Sequence, residues 1–251
     1  MATVSLKEKS SLDISLKGNK LVFGESLKQT EPEVRTIEQM KQVLMDPSVS
    51  EPKECYYMYR EICVGEDKEI IEKSGLRYDL TVIPSLMRGK EYNKTFGHFH
   101  PEAGKGLSYP EIYEVLHGRA HYVLQSKDNM RFVVFEAAAG DKVLIPPNYG
   151  HITINPGKEC LVMSNWVFSG FESEYSRIKE NHGAIYYETE EGWTKNNSYR
   201  EEPKIEFAKP RELPELGLEK NKPMYGLVKD IDKLSFLREP SINPKIFESL
   251  F

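Results

Sequence analysis

The 251-residue sequence predicts a mainly β protein: a jelly-roll barrel with a helical N-terminal segment and an extended C-terminal extension. Three patterns lead there. Between about residues 77 and 188, short runs rich in Val, Ile, Leu, Tyr and Phe alternate with Gly, Pro and Asn turns. The repeat is roughly ten residues, the spacing of a sandwich or barrel. Upstream, an apolar period of helical type stands out at 37–45. Downstream of residue 195, Pro203, Pro210, Pro214, Pro223, Pro240 and Pro244 are too dense for long helices and remove ladder donors.

These patterns divide the chain into an N-terminal extension (1–75) whose short helix packs on the barrel, the barrel with its site (76–190), and a proline-rich extension (191–251). In the first part, Thr36 with Gln39 three residues on forms a capping box. Ile37, Met40, Val43 and Leu44 then supply one apolar face, and Pro47 marks the stop. The barrel strands are predicted at Tyr78–Ile83, Ile112–Leu116, Ala120–Gln125, Phe132–Ala137, Lys142–Ile145, Ile152–Asn155 and Leu161–Phe168. The last part is expected to run extended over the barrel, with short helices near 231–237 and 242–250. Its Ile, Leu and Phe residues imply that it docks.

Composition narrows the partners. Apolar residues make up 39 % and charged residues 29 %, an ordinary globular balance. A net charge of -5 argues against nucleic acid, which calls for a basic face. It leaves room for a phosphorylated small molecule, because a pocket can offer backbone N–H groups. The longest apolar runs fall far short of the roughly 20 residues that span a membrane. Cys55, Cys63 and Cys160 have no disulfide-framework spacing and read as reduced thiols. Residues 1–19 show no apolar signal core, so the expected location is the cytoplasm.

The chemistry concentrates on a few residues. His98 and His100 stand at i, i+2, which on a strand places both imidazoles on one face. Glu111 follows after the loop 101–110, and His151 lies some forty residues on. Glu114, three residues from Glu111, would point to the other face of a strand. His117 and His121 flank Gly118 at a hairpin, where alternation from Tyr122 can turn one toward the barrel, and they read first as solvent-facing or as supports behind a ligand; His182 reads as a loop residue. Three imidazoles and one carboxylate suit Fe2+, Mn2+, Ni2+, Co2+ or Zn2+.

The spacing resembles the two cupin motifs. His98-Phe99-His100 is followed by Glu111 and, after six residues, Gly118; Gly140, Pro146, His151 and Asn155 have the second spacing. This resemblance selects Glu111 over Glu114, and it implies the cupin double-stranded β-helix. Asn148 stands where a glycine is usual and tolerates the same left-handed turn. The cupin fold hosts several chemistries, so an Fe(II) dioxygenase or a non-catalytic sugar-phosphate binder would use the same ligands.

A longer run is more specific. Glu91-Tyr92-Asn93-Lys94-Thr95-Phe96-Gly97-His98-Phe99-His100, then Tyr109-Pro110-Glu111-Ile112-Tyr113, then Leu124-Gln125 and Ile145–Asn155, resembles the cupin-type phosphoglucose isomerases found mainly in archaea. The resemblance covers about 77–180. It implies a homodimeric enzyme with one divalent metal ion, Fe2+ before Mn2+, Ni2+, Co2+ or Zn2+. Such an enzyme interconverts glucose 6-phosphate and fructose 6-phosphate by enediol proton transfer, with a metal-assisted hydride shift as the mechanistic alternative. It further implies His98, His100, Glu111 and His151 as metal ligands and Glu111 and Tyr113 as catalytic groups. Thr81, Thr95, Gly97, Tyr113 and Tyr175 would contact the sugar phosphate. Lys90 and Lys94 lie near enough in sequence to steer a phosphate.

Overall fold

A computed structural model describes residues 3–248 and 250. Ten strands build its two large sheets: β1 (Glu33–Thr36), β2 (Glu54–Tyr59), β3 (Leu76–Ile83), β4 (Glu111–His117), β5 (Arg119–Ser126), β6 (Phe132–Ala138), β7 (Lys142–Ile145), β8 (Tyr149–Ile154), β9 (Leu161–Phe168) and β10 (Ile205–Ala208). One sheet has the order β7-β4-β9-β3-β2-β1 and the other β8-β5-β6-β10. Neighbours are antiparallel except β10, which runs parallel to β6. All seven predicted barrel strands form. The sheets face each other as a jelly roll, with no continuous ladder closing them into a cylinder.

The space between the sheets is filled from both sides. Val115, Val143, Leu161 and Met163 of one sheet pack with Tyr122, Leu124, Val133 and Phe135 of the other. Side chains alternate across each strand, so the other face of the six-stranded sheet needs its own cover. Tyr78, Leu80, Val82, Ile112, Val162 and Trp166 there join a second cluster with the N-terminal segment and the tail. Trp166 Nε1 donates to the Met224 carbonyl at 3.1 Å, and the Tyr225 hydroxyl donates to Asp67 at 2.7 Å. Glu114 lies on this outer face as alternation predicts. It pairs with Lys142 at 2.8 Å and accepts the Met224 N–H at 2.8 Å. Burial pushes its carboxyl up to about 7 against the pull of Lys142.

The N-terminal region holds more strand than the sequence predicts. Thr3–Ser5, Ile14–Lys17 and Lys20–Phe23 make a small antiparallel sheet, and β1 and β2 extend the six-stranded one. The helix at 37–45 shortens to an α-turn, Ile37–Met40, continued by a 3-10 turn, Lys41–Val43. Its capping contact is present, with Gln39 Oε1 accepting the Thr36 N–H at 2.9 Å. In the tail, the helix expected near 231–237 is part of a longer 3-10 run, Met224–Leu237, broken at Asp230. The one expected near 242–250 is a turn at Lys245–Glu248; residue 249 lies outside the described residues. Among the described residues no helix is long and apolar enough to cross a membrane.

Candidate metal centre

Three local structures deliver the four predicted ligands. Glu111 opens β4 and His151 sits on β8. His98 and His100 belong to no named strand. Their segment runs beside β8 instead, joined by a bridge in which His98 and His151 exchange both backbone hydrogen bonds at 3.3 and 3.0 Å. Gly97 makes that approach possible: its φ is +82°, and a Cβ there would lie 2.3 Å from Ile152 Cγ1. Asn148, in the turn before β8, has φ +68° and so takes the left-handed conformation expected of it.

The donor atoms of His98, His100, Glu111 and His151 all lie within 4.8 Å of one another. His98 Nε2 is 3.1 Å from His100 Nε2, and Glu111 Oε2 is 3.1 Å from His151 Nε2 and 3.5 Å from His100 Nε2. Glu111 Oε2 is buried without a hydrogen-bond partner, which is costly unless something else engages it. Converging imidazole nitrogens and an orphaned carboxylate oxygen fit a divalent cation. Two contacts fix the ligands from behind. His100 Nδ1 is 2.9 Å from the Tyr109 carbonyl, which leaves Nε2 as the free lone pair. Asn165 Nδ2 donates to Glu111 Oε1 at 2.7 Å, which leaves Oε2 turned inward.

The electrostatics agree. Burial, then the neighbouring imidazoles, hold His98 well below its ordinary value. Burial brings His100 down to about 4. Burial alone would raise the Glu111 carboxyl, but His151 and His100 together keep it below the usual range. At neutral pH His98 and His100 are therefore neutral beside an ionised Glu111, the forms that ligate metals.

The cluster opens into a cavity of about 650 Å³ lined by His98, His100, Glu111, Thr81, Thr95, Gly97, Tyr113 and Tyr175 among others. Every predicted sugar-phosphate residue thus meets the same space. The Tyr113 hydroxyl is 3.2 Å from His151 Nε2. Thr95 Oγ1 accepts the Thr153 N–H at 2.9 Å, and the Tyr175 ring sits 5.4 Å from that of His98. Lys94 lies elsewhere: it is buried, ion-paired with Glu91, and 4.8 Å from the Tyr187 ring centroid. His121 pairs with Glu188 at 2.9 Å, away from the cluster. The sequence reading missed Asn165, Arg60, Arg77 and Asp79. The signal was present, because Asn165 is a polar residue at an inward position of the apolar strand β9, and Arg77 and Asp79 alternate with Thr81 on β3.

The family model of glucose-6-phosphate isomerase (GPI) matches residues 34–204. The chain belongs to that family. Among its relatives, the glucose-6-phosphate isomerase of Thermococcus onnurineus (strain NA1) is 32 % identical over 111 residues, 43 % of this chain and 56 % of the relative. That of Thermococcus gammatolerans is 27 % identical over 150 residues, 59 % and 75 % of the two chains. That of Pyrococcus horikoshii is 29 % identical over 139 residues, 51 % and 66 %. The chain therefore spans from about half to three quarters of the length of these family members. Among solved structures, oxalate decarboxylase from Bacillus subtilis aligns with 47 % of this chain and 27 % of its own at 17 % identity and a TM-score of 0.35, too remote to bear on chemistry.

Proposed function

We propose that the chain is a metal-dependent aldose–ketose isomerase that interconverts glucose 6-phosphate and fructose 6-phosphate. The observation that carries this reading is the convergence of four donor atoms within 4.8 Å at the base of a polar cavity, in a chain of the glucose-6-phosphate isomerase family. His98, His100, Glu111 and His151 would hold one divalent ion, Fe2+ first and Mn2+, Ni2+, Co2+ or Zn2+ as substitutes. When bound, the ion would supply electrophilic stabilisation to the oxygens on C1 and C2.

The protein's own residues do the rest. Moving a carbonyl from C1 to C2 requires removing the C2 proton and returning it to C1. Glu111 is ionised at neutral pH, and Asn165 holds one of its oxygens, so Oε2 is the atom turned inward; a carboxylate that holds the ion is a weak base, and Oε2 would take and return the proton after shifting off the ion when substrate binds. Tyr113 places its hydroxyl beside His151, where it can hydrogen-bond a substrate oxygen. Thr81, Thr95, Tyr175 and the Gly97 backbone line the part of the cavity assigned to the phosphate, and hydroxyl and N–H donors suit that role. The same reading gives three segments (1–75, 76–190 and 191–251), a homodimer and a cytoplasmic location.

The deciding assay supplies fructose 6-phosphate to protein loaded in turn with Fe2+, Mn2+, Ni2+, Co2+ and Zn2+ and detects glucose 6-phosphate with a coupled dehydrogenase. Turnover that a chelator removes is the expected result. Absence of turnover with all these metals would sink the proposal, and oxygen consumption in its place would reassign the site to oxygenase chemistry. Mannose 6-phosphate belongs in the same assay, since it shares the enediol.

A further inference from the structure

One wall of the cavity, formed by β2 and β3, carries two guanidinium groups, Arg60 and Arg77. A single carboxylate holds both. Asp79 Oδ2 accepts from Arg60 Nη1 at 2.7 Å and from Arg77 Nε at 2.9 Å, while Oδ1 accepts the Glu61 N–H at 3.0 Å. The Asp79 side chain is fully buried, whereas those of Arg60 and Arg77 keep 38 % and 29 % of their exposure. One buried negative charge therefore faces two positive ones. Glu33 comes within 3.8 Å of Arg60 Nε, but its side chain is 62 % exposed, where water screens the pair. Glu61 and Glu172 also line the cavity, are exposed, and make no ion pair among the described residues.

The guanidinium donors are not used up. Among the described residues Arg77 spends only Nε, and Arg60 adds one contact to the Met58 sulfur. On β3, Arg77, Asp79 and Thr81 are successive inward residues, so Thr81 is roughly 7 Å along the strand from Asp79. The fork is thus pre-oriented by a buried anchor and set next to the hydroxyl side of the cavity. Such a guanidinium binds a phosphate through two parallel charge-assisted hydrogen bonds.

We infer that Arg60, together with Arg77, binds the substrate's phosphate and makes the site selective for phosphorylated over neutral sugars. This rests on the sugar-phosphate reading above and adds to it a charged element that hydroxyl and backbone donors alone do not supply. The rival role is purely structural, an ion pair that pins β2 to β3.

The test compares Arg60→Met and Arg60→Lys with the unmodified chain. Arg60→Met is expected to raise KM for fructose 6-phosphate about 10- to 100-fold, the worth of a hydrogen bond to a charged group, with little change in kcat. Competitive inhibition by inorganic phosphate weakens in parallel. Arg60→Lys restores part of the loss, because an ammonium keeps the charge without the planar fork. A lowered Tm with unchanged KM and unchanged phosphate inhibition would overturn the inference and leave the structural role. Calorimetric titration of metal-free protein with fructose 6-phosphate separates the two proposals. If no metal gives turnover, weaker binding by Arg60→Met still supports the phosphate role, and equal binding refutes it. Should Arg60→Met fail to fold, Arg77→Met is read in the same way.

Discussion

The six-stranded sheet presents two faces made by the same strands to two unlike environments. Its inner face carries Glu111, Tyr113, Asn165, Asp79, Arg77 and Thr81 around one end of the cavity. Its outer face carries Ile112, Trp166, Tyr78, Leu80 and Val82, covered by the N-terminal segment and the tail. In a single-sided sheet the outer face would be the polar, solvated one. Here the terminal extensions turn it into core, so the burial that holds these strands does not have to come from the face that holds the site. Polar and charged groups can then occupy inward positions at the open end of the jelly roll. Substitutions on the two faces should therefore separate: inner ones strike the site, outer ones strike stability.

The largest separation is expected at Glu111. Glu111→Gln keeps the shape and the Asn165 contact but removes the proposed base, so isomerase turnover should fall about 10²- to 10⁴-fold. The metal-free protein should show no comparable loss of Tm in a thermal melt. Retained turnover in this variant would break the division.

Trp166→Ala is the outer counterpart. It empties a fully buried site and frees the Met224 carbonyl, at a cost of about 3 to 5 kcal/mol, measurable by denaturant unfolding. Below its melting temperature the variant should keep its KM. A changed KM with intact stability would show that the outer face reaches the site.

A smaller effect tests, through pH, the cavity that the inner face lines. Burial lowers His100 to about 4 from an ordinary value of 6.5. Between those values the unfolded chain binds a proton that the folded chain does not, so stability rises with pH in that window. The contribution is complete above the unfolded value and is lost as pH falls toward 4. The stability advantage of metal-free wild type over His100→Gln should therefore shrink by about 2 kcal/mol between pH 8 and pH 5. A constant difference across that range would mean that the imidazole is not held neutral by the fold.

Much of the barrel was legible in the sequence because its strands obey a strict rule. Residues 111–117, 132–138 and 161–168 are short segments rich in β-branched, aromatic and other apolar residues between turns. What escaped notice broke the rule. Glu54–Tyr59 is buried on both faces and shows no alternation. Ile205–Ala208 is a short strand among prolines, added at the edge of its sheet. The small N-terminal sheet did leave a trace, since Gly18-Asn19 joins Ile14–Lys17 to Lys20–Phe23 as a two-residue hairpin. At the site, histidine spacing and motif resemblance were enough to name the four residues that converge. They did not reach Asn165 and Arg77, whose trace was only a polar side chain at an inward position of a strand, or Arg60, which lies just past the end of β2 and has no such trace.

Alternation, and hence which side chains share a face, is written in the order of the residues, as are the side-chain types available on each face. The sequence also carried Gly97 and Asn148, whose backbone freedom lets His98 approach His151 and turns the chain into β8. That residues 98 and 151, more than fifty positions apart, exchange backbone hydrogen bonds and bring their imidazoles together is a product of the folded chain. So is the sealing of Asp79 beneath two guanidiniums. The physical reason is register. Periodicity is a local property of each strand, but which residue faces which across the ladder is set by how β2, β3, β4 and β9 are paired and by what covers their outer side.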